Sequence, residues 1–475
     1  MNFLQSPPGW MEITLFSVRL LISLFATADI LLRKNDVRAA FGWIAAVWFS
    51  PVLGGILYFV FGINRVTRRA LQLSRKRPKA GRANPVAPSS VTPNLAVLSR
   101  IGERVTGAPL TSGNAVKMLA GGDTAYPAML AAIHGARHSV ALTTYIFRND
   151  SLGTEFTDAL IDAHRRGVAV RVLLDSVGAG YFFPRPLRRL LHAGVPADQF
   201  LHTWIPWRMP FLNMRTHRKI LICDGAIGFT GGLNIGAEYS KSRSGAHFVQ
   251  DTHFRVEGPA VAQLMDTFAQ DWCFTTGENL DSDIWWPELG AKGEICSRGI
   301  RSGPDADIFK IETLLGAALG QARKNVRIVT PYFLPGQNLQ FAIKEALLRG
   351  VSIDIVLPEN TDSYYMDWAM RGHFRSFRHI PANFHICPPP FDHSKLFTVD
   401  DEWCLFGSSN WDVRSHRLNF EFDLECYDDK LTAGINALID RKIAGARKFD
   451  PAEIAGWPKW VQLRNAATRL LVPYL

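Results

Sequence analysis

The sequence predicts an α/β fold of two similar lobes, each a mainly parallel sheet flanked by helices, preceded by an N-terminal transmembrane hairpin. Three observations lead to this prediction. A pattern of polar and glycine positions occurs twice with identical spacing, strand–helix–strand periodicity precedes each copy, and the first 63 residues hold two long apolar stretches. Alternating strands and helices are typical of layered α/β folds.

The two apolar stretches predict a membrane anchor at the N-terminus. Residues 39–63 carry no charge over 25 positions, and a membrane-spanning helix needs about 20 apolar residues. Residues 13–32 form a second candidate that contains Arg19 and Asp29, and an interfacial helix is the alternative for this stretch. Two spans would make a hairpin with both ends on the same side of the membrane.

Basic residues are concentrated directly after the second apolar stretch. Eight Lys and Arg residues lie between residues 65 and 82, whereas the loop between the two stretches has three. The positive-inside rule therefore predicts that the chain after the hairpin faces the cytoplasm. A basic run beside a span also suits anionic lipid head groups, with a solvated linker as the alternative.

The distribution of charge disfavours nucleic acid as a substrate. Residues 1–82 contain 12 Lys and Arg against 3 Asp and Glu, which is +9 of the total net charge of +10. A nuclease is expected to carry a basic surface on its catalytic domain. Here the excess positive charge lies next to the predicted anchor, which favours an anionic membrane as the partner.

Strand–helix–strand periodicity appears in both halves of the remaining chain. The first unit is predicted at 140–147, 154–166 and 167–174, and the second at 326–333, 338–349 and 350–357. We expect the functional site at the seam between the lobes, near a pseudo-twofold axis. The predicted domains are the hairpin anchor at 1–70, a basic and Pro/Ser-rich linker at 71–110, and lobes at 111–295 and 296–475.

One polar pattern is present in each predicted lobe. It consists of a histidine, a lysine two positions later, an aspartate five positions after the lysine, then a glycine and an asparagine. The positions are His217, Lys219, Asp224, Gly231 and Asn234 in the first copy and His393, Lys395, Asp400, Gly407 and Asn410 in the second. This repeat predicts that two halves of one chain supply equivalent side chains to one site.

The residue types in the repeat point to phosphodiester chemistry. Residues i and i+2 of a strand share a face, so each histidine lies beside its lysine. Two imidazoles, two ammonium groups and two Asn amides around one small volume suit a tetrahedral, singly charged oxyanion. One histidine can attack phosphorus, and the other can protonate the leaving oxygen and later deprotonate the acceptor. Such a double displacement through a phosphohistidine requires neither a metal nor a cofactor.

The doubled HxKxxxxD pattern resembles the signature of the phospholipase D superfamily over most of residues 110–430. The stretch from Trp43 through Pro51 to Arg69 is similar to the anchor of bacterial cardiolipin synthases. This resemblance implies that one phosphatidylglycerol forms a phosphatidyl-histidine and releases glycerol, and that a second phosphatidylglycerol attacks to give cardiolipin. It also implies a multi-pass protein of the bacterial inner membrane whose catalytic part faces the cytoplasm.

The resemblance implies roles for the residues of the repeat. By the convention of the superfamily His217 is the nucleophile and His393 the acid and base, although the sequence itself leaves these roles interchangeable. The phosphate would be bound by Lys219, Lys395, Asn234 and Asn410.

Acidic residues near the repeat are the next candidates. In the superfamily an acid about 28 residues after the second histidine orients an imidazole, which points to Glu421. Its equivalent in the first half is Asp251, which lies 34 residues after His217. Asp224 and Asp400 end their strands and are interpreted as mainly structural, with a catalytic role near the site as the alternative.

Two further functions remain open from the sequence alone. The first is a phospholipase D that hydrolyses its lipid or uses another alcohol such as ethanolamine. The second is a membrane-tethered nuclease, which the charge distribution disfavours. No motif identifies the acceptor pocket, and nothing in the sequence predicts an oligomeric state.

Overall fold

A computed structural model of the chain describes residues 9–34, 37–62, 91–182, 184–202, 214–304, 307–378 and 380–470. The described residues belong to an N-terminal helical unit within Met1–Gln72 and to an α/β unit formed by Leu73–His202 and Leu212–Leu475. Most of the predicted linker, including the basic run at 65–82, lies outside the described residues.

The N-terminal unit differs from the predicted pair of spans. Its helices are Gly9–Arg33, Val37–Phe49 and Pro51–Leu57, followed by a π-helical turn at Tyr58–Gly62. Within the described residues, Gly9–Arg33 alone is long and apolar enough to cross a bilayer. The predicted span at 39–63 is interrupted because proline has no amide hydrogen and its ring disfavours helical backbone in the residue before it. Its longest helix has 13 residues, or about 20 Å against about 30 Å of hydrocarbon.

Polar side chains inside the N-terminal unit have partners. The Tyr58 hydroxyl donates to Asp29 Oδ2 at 2.9 Å, and Asp29 also pairs with Arg33 at 2.5 Å. The Trp48 indole N–H donates to Thr27 Oγ1 at 3.0 Å. These contacts explain how Asp29, which breaks the apolar pattern of the first stretch, is accommodated between helices.

The α/β unit contains strands β1 to β18 in the described part of the chain. Their bounds are Thr111–Ala120, Ser139–Thr144, Ala169–Asp175, Ala197–Phe200, Arg215–Thr216, Ile220–Cys223, Ile227–Gly231, Thr252–Glu257, Ile295–Ser302, Asn325–Val329, Phe333–Leu334, Ser352–Pro358, Asn383–Cys387, Leu396–Val399, Trp403–Gly407, Trp411–Asp412, Asn419–Tyr427 and Arg447–Phe449.

Helices alternate with these strands. Their bounds are Ala96–Thr106, Gly122–Gly135, Ser151–Arg165, Arg185–His192, Lys241–Ser244, Val261–Thr276, Lys310–Gln321, Gln337–Leu348, Tyr364–His373, Val413–Arg417, Asp429–Ala444 and Lys459–Arg469. The helices predicted at 154–166 and 338–349 are present within three residues of the expected bounds. The first of them begins where Asp150 Oδ1 accepts the amide of Gly153 at 2.8 Å, which is the usual N-capping contact.

One sheet runs through both lobes. The strand order is β18-β13-β12-β10-β14-β15-β17-β9-β1-β8-β7-β6-β2-β3-β4. Read outwards from the antiparallel β9–β1 pair, seven strands of each half correspond in order and β18 is an addition at the edge of the second, so the β9–β1 pair lies at the pseudo-twofold axis. The predicted two-lobed α/β architecture is therefore confirmed, with the lobes joined edge to edge.

The sheet is mixed, whereas the sequence predicted mainly parallel lobes. Parallel ladders connect β2 to β3 to β4 in the first lobe and β10 to β12 to β13 in the second. The strand after each HxK segment instead forms an antiparallel hairpin, β6–β7 or β14–β15. Only three residues connect the strands of each hairpin, and so short a connection permits only antiparallel pairing.

Each lobe has its own apolar core between sheet and helices. In the first lobe Leu142 and Val172 of the sheet pack with Phe156, and all three are at most 1% exposed. The core of the second lobe includes Leu98 from the helix Ala96–Thr106, which lies in the region predicted to be a linker. The α/β unit therefore extends into the predicted linker at 71–110.

Candidate functional site

The two HxK segments are held by strands of the opposite lobe. The segment leading to His217 pairs in parallel with β17, and the amide of His217 donates to the carbonyl oxygen of Phe420 at 2.9 Å. In the same way Asp392 bridges to Gln250, and the amide of His393 donates to the Gln250 carbonyl oxygen at 2.7 Å. Each histidine is thus fixed by backbone pairing across the pseudo-twofold axis.

This pairing brings the two imidazoles face to edge. The ring centroids of His217 and His393 are 6.4 Å apart and the ring planes meet at 83°. The two residues are 7% and 6% exposed, respectively. The structure therefore places both predicted histidines in one small, nearly closed site.

The carboxylates reach the histidines in a crossed arrangement. His217 Nδ1 lies 3.0 Å from Glu421 Oε2, and His393 Nδ1 lies 2.8 Å from Asp251 Oδ2. The sequence spacing had associated each acid with the histidine of its own half, so the structure exchanges the partners. The reason is that Glu421 follows the β17 residues paired to the His217 segment, and Asp251 follows Gln250, which pairs beside His393.

Burial shifts the ionisation of all four groups in these pairs. It raises the pKa of Asp251 to about 7 and that of Glu421 to about 7. It lowers the pKa of both His217 and His393 well below the usual value, and the nearby lysines lower it further. Contact with Nδ1 fixes the orientation of each ring and leaves Nε2 for chemistry at the centre.

Both lysines of the repeat are buried beside their histidines. Lys219 Nζ donates to the carbonyl oxygen of His217 at 2.7 Å, and Lys395 Nζ donates to that of His393. Burial lowers the pKa of Lys219 to about 7 and that of Lys395 to about 8. A bound anion would favour the charged form of both ammonium groups, as expected for a phosphate site.

The two asparagines of the repeat have different surroundings. Asn234 Nδ2 donates to the Tyr239 hydroxyl at 2.8 Å and its Oδ1 accepts the amide of Ile146 at 3.2 Å. The Oδ1 atom of Asn410 is buried and has no hydrogen-bond partner among the described residues. Both atoms of the Asn234 amide are therefore already engaged in the structure, whereas the Asn410 amide has an unsatisfied oxygen.

Asp224 and Asp400 bind backbone amides at the far end of the HxK strands. Asp224 accepts the amides of residues 137, 138 and 139 at 2.7–3.0 Å, and Asp400 accepts those of residues 323, 324 and 325 at 2.7–3.0 Å. Both aspartates have positive φ, at 52° and 53°. These contacts are structural ones, in the turn that connects the two strands of each β-hairpin, and a catalytic role of either aspartate stays a prediction.

Aromatic residues complete the walls of the site, and sequence reasoning missed them. The Tyr145 ring lies 5.2 Å from that of His217, and the Tyr239 and Phe391 rings lie 6.2 Å and 5.9 Å from that of His393. Tyr145 directly follows the strand β2, which is the one signal that could have identified it. Within the described residues no group of three or more His, Cys, Asp or Glu side chains is arranged to hold a metal ion.

Comparison with known proteins shows that this chain is similar to the members of one family. The profile described as cardiolipin synthase, PLD-like domain, matches residues 129–272 and 315–443, and the phospholipase D-nuclease N-terminal profile matches residues 21–62. The chain is 30% identical to the major cardiolipin synthase ClsA of Bacillus subtilis (strain 168), over 96% of this chain and 99% of that protein. A cardiolipin synthase of Geobacillus kaustophilus (strain HTA426) is 30% identical over 97% and 94% of the two chains.

Solved structures share the fold at lower sequence identity. The phosphatidylserine synthase of Haemophilus influenzae Rd KW20 superposes with a TM-score of 0.63 and 16% identity, covering 80% of this chain and all of that one. At this identity the likeness concerns the arrangement of strands and helices alone.

Proposed function

Because the chain belongs to the bacterial cardiolipin synthases of the phospholipase D superfamily, we propose that it transfers a phosphatidyl group from one phosphatidylglycerol to another and releases glycerol. The observation that carries the proposal is the pair of buried imidazoles, 6.4 Å apart, each oriented by a carboxylate of the other lobe. Two equivalent nitrogen bases on opposite sides of one phosphate are what double displacement requires.

In the first half-reaction His217 Nε2 attacks phosphorus. The N–P bond forms, the bond to the glycerol oxygen breaks, and His393 gives its proton to that oxygen. Lys219 and Lys395 neutralise the charge that collects on the phosphoryl oxygens. In the second half-reaction the head-group hydroxyl of the acceptor gives its proton to His393 and attacks phosphorus, and the N–P bond breaks. His217 is assigned as the nucleophile from the resemblance to the superfamily, and the carboxylates of Glu421 and Asp251 stabilise the imidazolium forms.

The direct test is a product assay on the full-length protein in detergent or liposomes containing phosphatidylglycerol alone. Mass spectrometry should detect cardiolipin and free glycerol in equal amounts. Phosphatidic acid without cardiolipin would instead indicate a hydrolase, and the absence of lipid turnover would contradict the proposal. Since the buried groups supply the acid, base and nucleophile, EDTA should leave the rate unchanged, and strong inhibition would rule out the metal-free mechanism.

The N-terminal helices support an anchoring role in the bacterial inner membrane. We place the α/β unit on the cytoplasmic side, because the eight basic residues between positions 65 and 82 directly follow the helical unit. Labelling of a cysteine introduced at residues 83–90 by a membrane-impermeant thiol reagent in spheroplasts would contradict this orientation. Protection until the membrane is opened is the expected result.

A further inference from the structure

The pseudo-twofold symmetry of the site is broken by two pairs of equivalent positions. Arg215 lies two residues before His217, whereas Phe391 occupies the same place before His393. Arg414 follows Asn410 by four residues, whereas Glu238 occupies the same place after Asn234. Each copy thus carries one arginine that the other copy lacks, because Arg215 of the first copy corresponds to Phe391 and Arg414 of the second copy corresponds to Glu238.

The two arginines belong to the His217 side of the site. Arg215 is two residues from His217 on a segment paired with β17, so both side chains leave the same face of that segment. The Tyr145 ring, which touches His217 edge-on, has both Arg215 and Arg414 among its electrostatic neighbours. Arg414 in turn is an electrostatic neighbour of His217 itself.

The surroundings of Arg215 leave capacity for an anion. The Nε and Nη1 atoms of Arg215 are buried and donate no hydrogen bond within the described part of the chain. The side chain of Arg215 is also hydrogen-bonded to that of Tyr145. The carboxylate of nearby Asp175 is occupied by the amides of residues 177, 178 and 216 at 2.8–2.9 Å. Burial, and then the like charge of Arg215, lowers the pKa of Arg414. Asp412 and Asp175 act in the opposite direction on Arg414, so the capacity for an anion lies in the unpaired buried donors of Arg215, with Arg414 as a second cation nearby.

We propose that Arg215 and Arg414 form a second phosphate subsite, which holds the phosphodiester of the acceptor lipid while its head group reacts. This inference rests on the proposed function. In cardiolipin one glycerol links two phosphates, so the acceptor phosphate must lie next to the reacting one. An anionic lipid that approaches an anionic phosphatidyl-histidine also needs cations to offset the repulsion, whereas water or glycerol does not. Arginine suits this task because its planar donors match two phosphate oxygens. The equivalent places on the His393 side, Phe391 and Glu238, offer no cation, and Glu238 is already paired with Arg148 at 2.9 Å.

The test compares two reactions of one donor in the same vesicles. In the first reaction the acceptor is a second phosphatidylglycerol, which carries a phosphate, and the product measured is cardiolipin. In the second reaction the acceptor is added isotope-labelled glycerol, which carries no phosphate, and the product measured is labelled phosphatidylglycerol. The measured quantity is the ratio of cardiolipin to exchanged lipid, which is independent of the amount of folded protein. Arg215→Gln and Arg414→Gln should each lower this ratio about tenfold or more, as expected for the loss of a charge-assisted hydrogen bond.

Conservative and surface variants complete the design. Arg215→Lys and Arg414→Lys, which keep a cation, should recover part of the ratio. Arg165→Gln, at an arginine whose side chain is 72% exposed, should keep the ratio of the parent protein. A parental ratio in both Gln variants, including an equal loss of both reactions, would overturn the subsite and leave the proposed function intact. A parent protein that performs neither reaction would instead overturn the proposed function, and the subsite with it.

Discussion

Replacing either His217 or His393 by alanine is expected to lower phosphatidyl transfer by about 10⁴-fold or more, because each imidazole performs a step that the other cannot perform at the same time. Cardiolipin formation from phosphatidylglycerol is the measurement. His134→Ala, at an exposed histidine, is the matched control.

An activated donor separates the roles of the two histidines. A phosphatidyl ester of p-nitrophenol does not need a proton on its leaving oxygen, so a variant that lacks only the acid should still release a burst of p-nitrophenol. The nucleophile variant should not. We expect the burst in His393→Ala and its absence in His217→Ala. The reverse result would exchange the two roles, and normal cardiolipin formation in either variant would contradict the double displacement.

Neutralising either of the two crossed carboxylates is expected to have the second large effect on turnover. Glu421→Gln and Asp251→Asn keep the size of the side chain but remove the charge that stabilises an imidazolium, and we expect each to lower turnover by about 10²- to 10⁴-fold. Turnover at saturating phosphatidylglycerol is the measurement. Asp162→Asn, at a side chain that is 55% exposed, should leave turnover unchanged.

Double-mutant cycles in thermal unfolding test the crossing itself. Residues in contact usually show coupling energies of about 0.5–3 kcal/mol, whereas separate residues show additive effects. We expect coupling between His217 and Glu421 and between His393 and Asp251. Stronger coupling of His217 with Asp251 would mean that each half keeps its own acid, contrary to the contacts at 3.0 Å and 2.8 Å.

Sequence periodicity was sufficient for the elements of each lobe but not for the way in which strands from different lobes meet. The helices at Ser151–Arg165 and Gln337–Leu348 were predictable because the spacing of apolar residues is a local signal. The exchange of Glu421 and Asp251 was not, because the strand neighbours that deliver them are about 200 and 140 residues away in sequence from the histidines they contact. The spacing of residues in the sequence shows which half of the chain contains an acid, but not which histidine that acid contacts.

Two other features of the structure were not predicted, namely the interruption of the second apolar stretch and the two arginines near the site. The stretch 39–63 has no charged residue, but Pro51 divides it into two helices because proline has no amide hydrogen to donate. A hydropathy profile measures only how apolar the residues are, so it did not predict this interruption. Arg215 and Arg414 escaped notice because the repeat that identified the site is symmetrical, and both lie at positions where the two halves differ.

The exchange of acids between lobes also constrains the order of events during synthesis. A ribosome that has completed the first lobe has produced His217 and Lys219, but the carboxylate that orients this imidazole is encoded by Glu421, near the end of the chain. A nascent chain that ends before Glu421 therefore lacks one of the two carboxylates that orient the imidazoles. The site is complete only when the last long strand, Asn419–Tyr427, has joined the sheet, so we expect a chain that is truncated before this strand to be inactive.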